Sequence, residues 1–146
     1  MSVKFKVKDV NENEASLKWI EGFQFLGYAR EHSVTIDQKK EDGGENLGFK
    51  PTELLLLALG GCLGSRIAAE AMFKGLKIED LKLDIGISRA ARTGGSNAKW
   101  LITVKVHIKG DISKEEKEKI VEKAEKYCKI SHILKGTCEI HAEVVS

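Results

Sequence analysis

The sequence lacks several features that would mark particular classes of protein. It has a single proline and no Ser/Gly-rich linker, so nothing divides the 146 residues, and we predict one domain over residues 1–146. Its 24 basic and 22 acidic residues nearly cancel, which disfavours nucleic acid or an anionic membrane surface as a partner. We find no run of about 20 apolar residues and no apolar signal segment, and we therefore expect a cytoplasmic protein.

Cysteine is also scarce. Cys62, Cys128 and Cys138 are too few, and odd in number, for a disulfide framework. Three interpretations remain for them: small buried hydrophobes, metal ligands or redox chemistry. The 32% charged residues are mostly Lys and Glu, with four Asn and two Gln, a bias seen in hyperthermophile proteins, in which intracellular disulfides are commoner.

What is present is a succession of strand and helix patterns. Alternating apolar residues predict six strands, at 3–7, around Leu17 and Trp19, around Val34 and Ile36, and at 81–88, 100–109 and 139–145. Between them we predict an exposed connection at 38–50 and a flexible connection at 91–99. A helix is predicted over 54–73. A second, amphipathic helix opens with a Ser113/Glu116 capping box. The order predicts an α+β fold in which antiparallel strands accompany a buried central helix.

The predicted central helix is apolar nearly all round, which is typical of a helix enclosed by protein on most sides. Pro51 suits its first turn. Gly60, Gly61 and Gly64 each cost up to about 1 kcal/mol of helix propensity, so we predict another backbone pressed close to them.

Cys62 lies in this helix directly after the glycine pair. A thiol in apolar surroundings has a raised pKa and is inert, so a reactive Cys62 needs a positive neighbour. Arg66, four residues later, shares its helical face and is one candidate. On spacing alone a structural ion pair between Arg66 and Glu70 is favoured over activation of the thiol, because such i,i+4 pairs are common.

The other two cysteines are, taken singly, more often small buried hydrophobes. We predict Cys138 to lie in the core, on a strand face that it shares with Ile140. Cys128, His132, Cys138 and His141 form the pattern C-x3-H-x5-C-x2-H, but the odd separation of the last two directs them to opposite sides of a strand. Structural zinc is therefore the weakest interpretation, and we expect no metal.

The helix entry Pro51-Thr-Glu-Leu-Leu-Leu-Leu-Ala-Leu-Gly-Gly-Cys62 and the later segment Cys128-Lys-Ile-Ser131 resemble the OsmC/Ohr family of osmotically inducible and organic-hydroperoxide-resistance proteins. The resemblance spans nearly the whole chain and includes the early Trp19-Ile-Glu-Gly22 turn. It implies an OsmC-like α+β fold, with antiparallel sheets around a buried central helix, and an intertwined homodimer with sites at the subunit interface.

The resemblance also implies a chemistry. In the peroxidase members the cysteine that matches Cys62 attacks the peroxide and becomes a sulfenic acid, and the cysteine that matches Cys128 resolves it as a disulfide. An external thiol then reduces the disulfide, and we expect no cofactor. This implies a thiol peroxidase that reduces organic hydroperoxides or peroxide.

One position departs from the peroxidase pattern. There a glutamate directly after the proline holds an arginine against the reactive sulfur, whereas this chain has Thr52 at that position and Glu53 at the next. The motif P-x-E-L-L-L-x-A-L-G-G-C resembles instead a less characterised OsmC-like branch. A non-catalytic homodimer that binds a small apolar molecule is therefore the alternative. The candidate catalytic residues are Cys62, Cys128, Arg66, Arg30 and Glu53.

Overall fold

The structure, a computed structural model, describes residues 14–89 and 99–145. The chain divides into two compact units, Met1–Leu54 and Leu55–Ser146. The strands are β1 (Ser16–Glu21), β2 (Gln24–Ala29), β3 (His32–Ile36), β4 (Asp80–Arg89) and β5 (Trp100–Lys109), and the helices are α1 (Pro51–Phe73), α2 (Lys114–Lys126) and α3 (Lys129–His132). The strand predicted at 3–7 and nearly all of the connection predicted at 91–99 lie outside the described residues.

The first unit contains an antiparallel sheet in the order β1-β2-β3. The turn between β1 and β2 uses Gly22 at φ 51°, a backbone conformation that glycine adopts readily. The indole Nε1 of Trp19 donates to the Gly22 carbonyl at 2.9 Å and closes this turn. The predicted strands around Leu17 and Trp19 and around Val34 and Ile36 are confirmed.

The connection at 38–50 is organised by a buried carboxylate. Asp37 is 1% exposed and accepts hydrogen bonds from the backbone N–H groups of Gln38, Glu45 and Leu47 at 2.7, 3.1 and 3.1 Å. A Cβ on Gly44 would collide with the backbone of Gln38. The segment therefore has a defined course, and its lack of hydrophobic periodicity gave no indication of this.

The second unit is built from α1, the hairpin β4–β5 and α2. Leu59, Leu63, Ile67 and Ala71 repeat at every fourth position and form the buried stripe of α1. They pack with Ile120, Ala124 and Cys128 and against the apolar face of the hairpin. The hairpin is antiparallel, with Asp80 opposite Lys109 and Arg89 opposite Trp100. The predicted long helix and the two predicted strands are confirmed. The capping box of α2 is also confirmed, because the Glu116 N–H donates to Ser113 Oγ at 3.2 Å.

Much of α1 is not covered by the rest of this chain. Leu55, Leu57, Met72 and Phe73 are 39, 55, 78 and 91% exposed. By length and composition alone, α1 could cross a membrane. This contradicts the expectation that the chain has no apolar segment of that length. Core helices of soluble proteins meet the same criterion. The side predicted to be enclosed is therefore open in the single chain.

The glycines of α1 serve a different purpose from the one predicted. A Cβ on Gly60 would collide with the side chain of Ile85 in β4, and one on Gly64 would contact Leu83. Gly61 faces open space. The close neighbour is thus a strand side chain at Gly60, rather than another backbone.

The predicted last strand is absent from the described residues, because 139–145 has no regular secondary structure. Cys138, expected in the core, is exposed, and Ile140 and Val144 are 89 and 93% exposed. A strand needs a neighbouring strand to pair its backbone groups, and residues 14–89 and 99–138 provide none for the segment. Both expectations are therefore wrong for the single chain.

Candidate active site

The second unit brings two of the three cysteines together. Cys62 lies in the middle of α1, half-buried, and Cys128 lies just beyond α2, where it is fully buried and forms the N-cap of the short helix α3. The packing of α1 against Ile120 and Ala124 of α2 places these two thiols in hydrogen-bond contact.

The surroundings of Cys62 stabilise its thiolate. Burial raises the pKa of the Cys62 thiol, but hydrogen bonds from the backbone N–H groups of Ile130 and Lys129 and from the Cys128 thiol more than offset this, and the charge of Arg66 lowers the pKa further. The N–H groups in the first turn of a helix have no acceptor within the helix, so they can donate to an acceptor such as the sulfur. The net pKa of Cys62 lies below its ordinary value.

Cys128 has the opposite character. Burial raises the pKa of its thiol, and the neighbouring Cys62 raises it further, against hydrogen bonds from the backbone N–H groups of Ser131 and Ile130. The pKa values of the two neighbouring thiols are therefore displaced in opposite directions, that of Cys62 downward and that of Cys128 upward.

Arg66 makes the smallest contribution among the groups that lower the pKa of Cys62. Its side chain is exposed, one turn after Cys62 on α1. The favoured ion pair between Arg66 and Glu70 is not formed, because the Glu70 carboxylate pairs with Nζ of Lys123 in α2 at 3.0 Å. Glu70 points toward α2 since its side chain is largely buried there, at 14% exposure. The prediction of an ion pair between Arg66 and Glu70 is thus wrong, and the role of Arg66 at Cys62 stays a prediction.

The remaining two candidates lie in the first unit. Arg30 has φ 54° in the turn between β2 and β3 and pairs with Glu31 at 3.6 Å, with both side chains 74% exposed. Glu53 accepts a hydrogen bond from the backbone N–H of Lys50 at 2.8 Å and so caps the start of α1. Their catalytic roles stay predictions.

An apolar cavity of about 430 Å³ lies in the second unit between α1, β5, α2 and the turn Ile133–Thr137. Leu59, Leu63 and Val104 contribute to its apolar wall, and Cys128 borders it. The ion pair between Lys135 and Glu125, at 2.6 Å, lies at its edge. A space of this size and polarity can hold a small apolar molecule.

The four residues of the zinc pattern do not converge. Nε2 of His132 lies 3.0 Å from the Lys126 carbonyl, and Nε2 of His141 lies 3.2 Å from Glu139. Within residues 14–89 and 99–145, no three His, Cys, Asp or Glu side chains are grouped so that they could hold a metal ion.

The sequence interpretation missed two components of the site. The backbone N–H groups of Lys129 and Ile130 leave no signature in side-chain chemistry, and a helix of only four residues is too short for a periodic pattern. The contact between Lys123 and Glu70 was also missed, because the two residues lie on different helices and more than fifty positions apart in the sequence.

The architecture, a long cysteine-bearing helix packed on an antiparallel hairpin and a second helix, defines an OsmC-like fold. An OsmC-like protein from Mycoplasma pneumoniae has a TM-score of 0.72 at 19% identity, with 86% of this chain and 88% of that chain covered. The organic hydroperoxide resistance protein OsmC from Legionella pneumophila has a TM-score of 0.66 at 23% identity, covering 85 and 89%.

The sequence itself identifies the family. Residues 43–143 match the family described as OsmC-like protein, so the chain belongs to this family. The uncharacterized protein YmaD of Bacillus subtilis is 30% identical over 115 residues, which are 76% of this chain and 75% of YmaD. OsmC-like proteins are soluble and usually dimeric.

Proposed function

We propose that this protein is a thiol-dependent peroxidase that reduces organic hydroperoxides or peroxide. The observation that carries the proposal is the pair Cys62 and Cys128, two thiols in contact whose pKa values are displaced in opposite directions. The thiolate is the form of cysteine that attacks peroxides, and Cys128, whose pKa is raised while Cys62 is reduced, loses its proton before it attacks the sulfenic sulfur. The name of the Legionella pneumophila structure, an organic hydroperoxide resistance protein, supports the same chemistry.

The reaction balances with an external thiol as reductant. The Cys62 thiolate attacks the terminal peroxide oxygen, the O–O bond breaks, and the alcohol leaves with one proton while Cys62 becomes a sulfenic acid. The Cys128 thiol then attacks the sulfenic sulfur and releases water, forming the Cys62–Cys128 disulfide. Two equivalents of an external thiol reduce this disulfide and are themselves oxidised.

Arg66 replaces the arginine that the peroxidases hold in place with a glutamate. It lies one turn after the nucleophile and lowers the pKa of Cys62. A glutamate in place of Thr52 is then not needed to activate the Cys62 thiol. Glu53 supports the site by capping the helix that carries Cys62.

We further propose that the working form is a homodimer. The apolar side chains that α1 leaves open, together with the exposed 138–145 segment, need a cover that the described part of the chain lacks. A second copy of the chain would bury these residues, and OsmC-like proteins are usually dimeric.

The test is direct trapping of the disulfide. Reduced protein is treated with cumene hydroperoxide, blocked with N-ethylmaleimide and mapped by peptide mass spectrometry. We expect a Cys62–Cys128 disulfide in the wild type and in Cys138→Ser, none in Cys62→Ser, and over-oxidised Cys62 in Cys128→Ser.

A pair that remains reduced in Cys138→Ser at excess peroxide would exclude the peroxidase. That outcome would favour the second candidate, a non-catalytic protein that binds a small apolar molecule, which the 430 Å³ cavity supports. In that case Cys62→Ser keeps the fold and the ligand affinity of the wild type.

A further inference from the structure

The neighbourhood of Arg66 contains a carboxylate that the proposed mechanism does not use. On α1, Cys62 lies one turn before Arg66 and Glu70 one turn after it. Helical residues four apart are neighbours, and long helical side chains lean toward the preceding turn. Without a partner on α2, the Glu70 side chain would therefore be a neighbour of Arg66, just as Arg66 is a neighbour of Cys62. A free carboxylate at position 70 would compete with the thiolate for the guanidinium.

The structure removes this competition by an ion pair between two helices. Nζ of Lys123 lies 3.0 Å from Oε2 of Glu70, a contact between charges without hydrogen-bond geometry, since this buried oxygen has no hydrogen-bond partner among the described residues. The Glu70 side chain is only 14% exposed, whereas that of Lys123 is 53% exposed. A carboxylate that is this deeply buried requires a cation. On α1 itself the cations one turn from Glu70 are Arg66 and Lys74, and Lys74 follows the last residue of the helix.

We propose that Lys123 is a positioning residue, which holds Glu70 toward α2 and thereby keeps the Arg66 guanidinium available to the Cys62 thiolate. The proposal rests on the proposed function in treating that thiolate as the reactive group. Without Lys123, the Glu70 carboxylate recruits Arg66 as its i,i+4 partner and its own charge also opposes a second negative charge on the same helix. Both effects disfavour the Cys62 thiolate.

The groups that face Cys62 decide how this is measured. Arg66 lies on the same helix, and the Cys128 thiol and the N–H groups of Lys129 and Ile130 lie on the segment packed against it. Because the measurement concerns Cys62 alone, it uses alkylation by iodoacetamide near pH 7, with the modified Cys62 peptide quantified by mass spectrometry and the exposed Cys138 as the internal reference.

The expected change in the rate of Cys62 alkylation differs between the two partners of the ion pair. Lys123→Met slows alkylation of Cys62 about two-fold, the size of an i,i+4 ion pair, whereas Glu70→Gln does not slow it. The double variant Lys123→Met/Glu70→Gln and the conservative Lys123→Arg react at the wild-type rate. In an Arg66→Ala background, Lys123→Met has a smaller effect than in the wild type.

Two results would overturn the proposal. If Lys123→Met and Glu70→Gln both slow the reaction and the double variant does not recover, the pair only holds the helices together. If Lys123→Met leaves the rate of Cys62 alkylation unchanged, Lys123 is not needed to keep Glu70 away from Arg66, because Lys74 or water takes its place beside Glu70. Thermal unfolding by circular dichroism checks that each variant is folded. The assay contains no peroxide, so an absence of peroxidase activity does not affect it.

Discussion

Two thiols of the same chemistry acquire different reactivities here because of the groups that surround each of them. The motif predicted the identity of both residues, since Cys62 and Cys128 stand at recognisable places in the sequence. It did not predict what makes them unequal, because the decisive donors are backbone N–H groups of Lys129 and Ile130. Main-chain donors are present at every residue, and only the fold selects which of them meet a sulfur.

Asp37 shows the same limit in the first unit. In the sequence it is one acidic residue before a charged, glycine-bearing connection, and nothing marks it as buried. The structure gives it three backbone N–H donors. Burial raises the pKa of the Asp37 carboxyl, but these three hydrogen bonds outweigh burial and hold the pKa below its ordinary value.

The lowered pKa of Asp37 leads to a prediction about acid stability. A carboxylate with a lowered folded-state pKa adds stability that is complete above the ordinary pKa of about 4 and is lost as the pH falls through the folded-state value. Asp37→Asn should therefore lower the urea midpoint at pH 7, and the difference from the wild type should shrink below about pH 4. Asp42→Asn, in the same connection, is the matched control and should change neither. A constant difference between pH 7 and pH 3 would show that the charge of Asp37 is irrelevant.

At the scale of elements, periodicity predicted well wherever an element packs within its own chain. The hairpin β4–β5 alternates half-buried and exposed residues along most of both strands, and α2 has its N-terminal cap, a buried face and a charged face. These are local signals that agree with the tertiary packing. The segment 139–145 alternates just as clearly but forms no strand in the described structure, because a strand also needs a partner that the pattern cannot supply.

The cap of α2 gives the prediction at this scale. Ser113 Oγ accepts from the Glu116 N–H, and removing an N-cap of this type costs about 1 kcal/mol. Ser113→Ala should lower the free energy of unfolding by about that amount in urea titrations at a fixed protein concentration. Ser113→Asp, which keeps a capping oxygen and adds a favourable charge at the helix N-terminus, should retain the wild-type value. Equal losses in both variants would mean that the hydroxyl has another role.

For the whole molecule, the sequence indicated more enclosure than one chain provides. Apolarity on all sides of residues 54–73 predicted a buried helix, and the structure places one stripe inside and leaves Leu57 and Met72 exposed. The apolar residues of a helix indicate which of its faces are buried in the assembled protein. They do not indicate whether the burying residues come from the same chain or from another chain. This is why the helix was predicted correctly and its exposure in the single chain was not.

The oligomeric state is the prediction at this scale. Leu57→Glu places a charge in the open apolar face of α1 and should convert a dimer into a monomer in size-exclusion chromatography with light scattering. It should also make the thermal stability lower and less dependent on protein concentration. Lys105→Glu, on the exposed face of β5, is the matched control and should remain dimeric. A wild type that is monomeric at micromolar concentration would remove the dimer from the proposal.

The hydrogen bonds that the start of α3 gives to Cys62 also bear on the return half of the cycle. Every interaction that stabilises the thiolate stabilises the reduced pair, and none of that stabilisation survives when the sulfur is bonded to Cys128. A disulfide at this position is therefore a comparatively strong oxidant that gives way readily to an incoming thiol. In the proposed reaction, the hydrogen bonds to Cys62 would therefore favour recovery of the reduced pair as well as the attack on peroxide.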